Sequence, residues 1–175
     1  MEYIRVLIAF ASKHGSTAEI AGHIGYLLAD AGMIADVIPA ADVLSLDGYD
    51  AVIVGSAVYT GRWRPEATKF LERFAAEMVD RPVWLFSSGP TGHGDPVELL
   101  DGWELPNQQA DVIDRIQPRE TALFHGALDR KKLNFLEKWM VKLVNAPTGD
   151  FRDWDQIEAW AEQIAHQLAL EPLPL

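Results

Sequence analysis

The chain has 175 residues, 49% of them apolar, with 26 acidic against 15 basic side chains, a net charge of -11 and no cysteine. That length and composition suit one domain with a single sizeable core, while the missing cysteines exclude disulfides, thiolate nucleophiles and Cys-ligated zinc or iron–sulfur centres, so any redox chemistry has to come from a bound cofactor. The negative charge repels polyphosphate and excludes nucleic acid as a bulk electrostatic partner.

Met1 to Ile8 has no basic stretch ahead of a long apolar run, and no segment approaches about 18 uninterrupted apolar residues. Neither a secretory signal nor a membrane-spanning helix is expected, and the protein is expected to be cytoplasmic. Short apolar runs rich in β-branched residues then alternate with segments of helical period, the pattern of βαβ units in a parallel sheet. The first run, Ile4 to Phe10, leads through a polar turn into a helix with Ile20, Ile24, Leu27 and Leu28 on one face. Strands are predicted next at Ile34 to Ile38 and Ala51 to Gly55. Pro65 suits a first helical position, and Phe70, Leu71, Phe74 and Met78 share the face of the helix behind it. After a fourth strand, Val83 to Ser87, the connection from Ser88 to Glu120 opens as a long loop and contains one helix, about Gln108 to Ile116. A fifth strand follows at Thr121 to His125. Arg130 to Val144 reads as one basic amphipathic helix. The last helix starts near Asp153, with Trp154, Ile157, Ala161, Ile164 and Leu168 on one face and Asp153 and Gln156 at capping-box spacing. Residues 1–170 are expected to form a single domain and residues 171–175 a frayed tail.

Ligands of open parallel sheets bind at the carboxyl ends of the strands, so the turn after the first strand is the place to look. It reads Ser12, Lys13, His14, Gly15, Ser16, Thr17, set between an apolar strand and an amphipathic helix. The helix N-terminus offers unpaired N–H groups, Gly15 lets the backbone approach a ligand, and three hydroxyls can donate, which together describe a cradle for a terminal phosphate. The alternative is a plain helix cap, Ser16 with Glu19 three residues on. Neither the dinucleotide pattern G-x-G-x-x-G nor the triphosphate pattern G-x-x-x-x-G-K-[ST] is present. No metal-ligand spacing appears: His23 and His166 stand alone on helices.

Phe10-x-Ser12-x-x-Gly15-x-Thr17 closing an N-terminal strand resembles the FMN phosphate loop of flavodoxins. Three further blocks, Val54 to Trp63, Phe124 to Leu128 and Lys138 to Leu143, together with Asp153 to Gln156, are similar to the menaquinone-dependent protoporphyrinogen IX dehydrogenases within that family. The resemblance implies a three-layer α/β fold with a five-stranded parallel sheet in the order 2-1-3-4-5 and helices on both faces. It implies FMN as cofactor, with phosphate contacts at Ser12, Lys13, His14, Gly15, Ser16 and Thr17. Its two ring loops fall on Ser56, Ala57, Val58, Tyr59, Thr60, Gly61 and Trp63, and on Ser88, Gly89, Pro90, Thr91 and Gly92. One departure stands in the first ring loop: the family tends to carry an aromatic directly before the glycine, where this chain has Thr60, with Tyr59 one place earlier. Trp63 is read either as a ring wall or as a core side chain under the following helix. Asp95 is the acidic group nearest the ring by sequence, and Arg62 and Arg64 are candidates to meet a carboxylated substrate. His14 and His93 lie in loops at the mouth of the site, and His125 reads as structural.

The basic segment carries Arg130, Lys131, Lys132, Lys138 and Lys142 against Glu137, a local +4 that leaves -15 on the rest of a chain of net charge -11. Two readings stand: an ordinary outer helix whose apolar stripe covers the sheet, or a helix that lies on an anionic membrane or docks a quinone-bearing partner. Functionally, the resemblance implies an FMN oxidoreductase that oxidises protoporphyrinogen or another organic donor and passes electrons to a quinone or a redox protein. A flavodoxin-type electron carrier without a small-molecule substrate, and a flavin-free scaffold of the same fold, are the alternatives.

Overall fold

The computed structural model describes residues 3–170; the tail expected at 171–175 lies outside them. Five parallel strands form the sheet: β1 (Arg5–Ala11), β2 (Ile34–Pro39), β3 (Ala51–Tyr59), β5 (Val83–Ser88) and β6 (Glu120–Phe124), ordered β2-β1-β3-β5-β6. This is the order 2-1-3-4-5 that the resemblance implies once the strands are numbered among themselves. β4 (Arg62–Trp63) folds back on β3 as a hairpin.

Each central strand is apolar on both faces because successive side chains alternate between two helical layers. Val6 and Ile8 of β1, Ala51 and Ile53 of β3, and Trp84 and Phe86 of β5 point to the layer formed by α1 (Ser16–Asp30) and α6 (Trp154–Leu170). Leu7 and Ala9, Val52 and Val54, and Val83 and Leu85 point the other way, to α2 (Pro65–Met78) and α4 (Ala110–Ile116). The helical faces read from periodicity are the buried ones: Ile20, Ile24 and Leu28 in α1, with Leu27 packed at the margin, and Phe70, Leu71, Phe74 and Met78 in α2. Pro65 stands at the start of α2, and Asp153 Oδ1 accepts from Gln156 N at 3.1 Å at the start of α6.

Four local differences from the sequence reading have identifiable causes. β3 runs on to Tyr59 rather than ending at Gly55, because Ser56 and Ala57 still pair with Ser87 and Ser88, and Val58 and Tyr59 pair with Trp63 and Arg62. Thr60 and Gly61 turn that hairpin with φ of 49° and 69°, both left-handed, as a tight two-residue turn requires. The long loop contains a short helix, α3 (Pro96–Leu99), capped by Asp95, whose Oδ1 accepts from Val97 N at 2.8 Å. Residues Ala127–Leu128 (β7) and Gly149–Asp150 (β8) form a small antiparallel pair beyond the sheet.

Arg130 to Val144 is not one helix. Asp129 accepts from Lys131 N and caps a single 3-10 turn at Arg130–Lys132, Leu133 is extended, and Asn134 starts α5 (Phe135–Leu143) through a reciprocal capping box with Glu137. Two side-chain caps five residues apart each begin their own turn, so the chain breaks between them. Nor does α5 lay an apolar stripe on the sheet: none of its residues is buried, and Phe135 is 87% and Trp139 56% exposed. Leu133, in the break, is the buried anchor of the segment.

Candidate cofactor site

The strand order reverses between β1 and β3, and the polar turn after β1 opens into the crevice at their carboxyl ends, where open α/β sheets hold ligands. Gly15 is the N-cap of α1 with φ 96°, a left-handed conformation that carries no side chain into the cradle. Ser12 Oγ accepts from Gly15 N at 3.1 Å and closes the turn. The helix cap read as the alternative is not formed: no side chain caps α1, and Glu19 is instead held by Arg152 at 2.6 Å. The first N–H groups of α1 are therefore left without a side-chain acceptor. Thr17 is completely buried and its Oγ1 has no hydrogen-bond partner.

The two segments expected to flank a flavin ring face one another beside this turn. A cavity of about 200 Å³ is lined by Ser16, by Ala57, Val58, Tyr59 and Thr60, by Ser88, Gly89 and Thr91, and by Gly126, Leu128 and Val141. Ser88 Oγ at its edge is buried and unpartnered. A second, mostly apolar cavity of about 480 Å³ adjoins it on the far side of Tyr59, between Trp63, Leu128, Leu133, Met140, Val141 and Val144, with Lys13, Arg62 and Arg64 at its rim. Burial raises the Tyr59 phenol above its ordinary value, so the ring stays neutral between the two spaces.

The segment expected as the second ring loop is held in shape by His125, read as structural, and by Gly126. The imidazole of His125 lies 2.8 Å from the Gly94 carbonyl and 3.3 Å from that of Pro90, and Gly126 N donates to Pro90 O at 2.9 Å. A Cβ on Gly126 would stand 3.1 Å from the Gly89 carbonyl oxygen, and one on Gly89 would stand 3.0 Å from Val58 Cβ, so both positions need glycine for the backbones to approach. Pro90 and Gly92 are buried within this loop. His93 packs edge-on against Phe151, away from the cradle. Among the other expected site residues, Ser56 is buried, accepting from Arg64 N at 3.0 Å to hold the hairpin to α2. Trp63 is 4% exposed, donates from Nε1 to Ser87 Oγ at 2.8 Å, and offers the larger cavity only its margin. Asp95 turns its carboxylate into its own helix cap, and Arg64 pairs with Glu66 at 2.8 Å. His23, read as isolated, pairs with Glu158 at 2.9 Å.

Three groups sequence reasoning missed come from far along the chain. Glu137 of α5 accepts from Lys13 Nζ and lies 3.3 Å from His14 Nε2, tying α5 to the phosphate loop. Lys132 Nζ donates to the His14 carbonyl at 3.2 Å. Arg152 donates to the Ser16 carbonyl at 3.3 Å while paired with Glu19 and Asp150, and it holds the Asp150 carboxyl below the usual carboxylate range. The Lys13 ammonium and the Asn134 amide pull the Glu137 carboxyl down to about 2. Because the folded value lies below the ordinary one, the latch is complete above about pH 4.3 and is lost as pH falls from there toward 2. The protection factors of the α5 amides, taken against the intrinsic exchange rate at each pH, are expected to hold down to about pH 4.3 and to fall from there toward pH 2, while Glu137→Gln shows the reduced protection at every pH; unchanged protection in the variant would remove the latch.

A family model described as a flavodoxin domain matches residues 7–155. The chain belongs to the flavodoxin domain family. Its fold is that of an FMN-binding redox domain. Similar solved structures include a flavodoxin from the domain Archaea, with TM-score 0.61 and 16% identity over 95% of this chain and 99% of that one. Another is a cysteine-to-serine mutant of the flavodoxin from Pseudomonas aeruginosa, with TM-score 0.59 and 16% identity over the same shares. A protein of Escherichia coli strain K12 named protoporphyrinogen IX dehydrogenase [quinone] is 22% identical over 93% of this chain and 96% of its own length. The flavodoxin cradle of this chain fits FMN on its own observations: an uncapped helix start, a glycine with no side chain facing the loop, and buried Thr17 and Ser88 hydroxyls awaiting acceptors or donors.

Proposed function

We propose that this flavodoxin domain is an FMN-dependent oxidoreductase that takes electrons from a carboxylated, largely apolar donor of the tetrapyrrole class and passes them to a quinone. The observation that carries this reading is the apolar cavity roofed by α5 and rimmed by Lys13, Arg62 and Arg64, which adjoins the ring cavity across Tyr59. A carrier that only docks other proteins needs an exposed ring edge and no such chamber. Ser12 to Thr17 would hold the phosphate, and Ala57 to Gly61 with Ser88 to Gly92 would flank the ring. Bound FMN would supply the electron-accepting chemistry. Leu133, Met140, Val141 and Val144 would seat the donor's apolar body and exclude water, and the rim cations would meet its carboxylates.

The exposed face of α5 fits a peripheral contact with an anionic bilayer, the phase in which a quinone resides. No helix among the described residues is long and apolar enough to cross a membrane. The protruding face, opposite the cavity side, carries Phe135, Leu136, Trp139 and Leu143 beside Lys138 and Lys142, the pattern of a helix lying in an interface. A second copy is a poor occupant, because two like-charged segments would meet.

The decisive assay mixes the FMN-loaded protein anaerobically with protoporphyrinogen and a menaquinone analogue. Oxidation well above the rate with free FMN is expected. A protein that takes up FMN yet gives no acceleration is an electron carrier, and one that takes up no FMN is a scaffold.

A further inference from the structure

We infer that Lys132 is the residue that senses the charge of the cofactor phosphate, so that the segment roofing the site also supplies the positive charge of the cradle. This rests on the flavin reading above and assigns a ligand outside the Ser12 to Thr17 loop. A phosphate monoester brings nearly two negative charges to the start of α1, and the loop's own cations are already committed. Lys13 is neutralised by Glu137. Arg152 faces two carboxylates, Glu19 at 2.6 Å and Asp150 at 2.7 Å. Lys132 differs: among the described residues no carboxylate oxygen lies within ion-pair distance of its Nζ, and of its three donors one is used, on the His14 carbonyl at 3.2 Å. Its ammonium also stands 4.0 Å from where a Cβ on Gly15 would be, on the open side of the cradle. Arg130 and Lys131 line the same space of about 520 Å³, but among the described residues neither side chain has a hydrogen bond to the loop such as Lys132 makes. The buried, unpartnered Thr17 hydroxyl at the same helix start gives an independent sign that an acceptor belongs there.

Lys132 reaches the loop because Asp129 caps the 3-10 turn that presents it and Leu133, its neighbour, is buried as an anchor. Ligand charge and the seating of the 129–144 segment are thereby linked: a phosphate in the cradle holds the segment down through Lys132, and a seated segment tightens the hold on phosphate.

The test is titration of FMN and of riboflavin, which lacks the phosphate, into flavin-stripped wild-type protein, Lys132→Gln and Lys132→Arg, followed by flavin fluorescence at low and high salt. Wild type is expected to prefer FMN, with an affinity that weakens as salt rises. Lys132→Gln is expected to lose about tenfold in FMN affinity, the low end for a charge-assisted hydrogen bond because the site is partly open to solvent. Its riboflavin affinity should fall far less than its FMN affinity, its salt dependence should be flatter, and Lys132→Arg should restore most of the loss. Wild-type FMN affinity in the Gln variant, or equal losses for FMN and riboflavin, would overturn the assignment while leaving the flavin reading intact. A wild-type protein that binds neither flavin overturns both.

Discussion

Replacing Phe135, Trp139 and Leu143 together by serine is expected to lower the partitioning of the protein onto vesicles containing phosphatidylserine by at least about 100-fold. Full burial of each such side chain is worth about 1.5–3 kcal/mol. Half-burial at an interface still gives about 3–4 kcal/mol for the three, and about 1.4 kcal/mol is a factor of ten. The fold should not suffer, since all three side chains are exposed: 87%, 56% and 68%. Flavin affinity should be retained for the same reason. Removing the vesicle charge gives the companion result: neutral phosphatidylcholine should bind wild type weakly, because the basic side chains then lose their partners, even though the -15 remainder of the chain is no longer repelled. Sedimentation of the triple variant with anionic vesicles to the wild-type extent would sink the membrane contact.

The largest stability effect is expected at Gly55. A methyl group there would overlap three ring atoms of Phe86, which is fully buried and bounded by Phe124 and Trp160 with ring centroids 5.9 and 6.0 Å away. The ring has no space to retreat into, so Gly55→Ala should cost about 3 kcal/mol by overpacking, read as a drop in the urea midpoint at unchanged slope. Shortening the obstructing side chain separates crowding from a general intolerance of side chains in β3. The double variant Gly55→Ala/Phe86→Leu should be more stable than the sum of the single changes; strict additivity would show that the crowding is not between these two positions.

The central sheet was legible because three of its five strands, β1, β3 and β5, are buried on both faces and read as largely apolar runs between helices with a clear periodicity. The polar turn after β1, the candidate cradle, was legible for a related reason: its residues are contiguous and fall where a strand must hand over to a helix. What escaped the sequence is non-local. His125 and Gly126 make sense only against Pro90, Gly94 and the Gly89 backbone. Glu137 finds Lys13 at a separation of 124 residues, which no local pattern encodes. Periodicity correctly gave α5 an apolar face and could not say what covers it, because a stripe of Leu, Trp and Met looks the same against a sheet or against lipid. The break at Leu133 was visible in principle, since Asp129 and Asn134 are both good helix starters, yet the lysines between them suggested continuity.

The placement of α5 also bears on time rather than affinity. Val141 forms a wall of both cavities, and the 129–144 segment that carries it is fastened to the turn after β1 by two exchangeable contacts, Lys13 to Glu137 and Lys132 to the His14 carbonyl. On the proposed reading, a flavin seated beneath would be released as that flap lifts, and its residence time would follow how often the flap opens. Contact with a surface that pins the flap would lengthen the cofactor's stay without touching the cofactor.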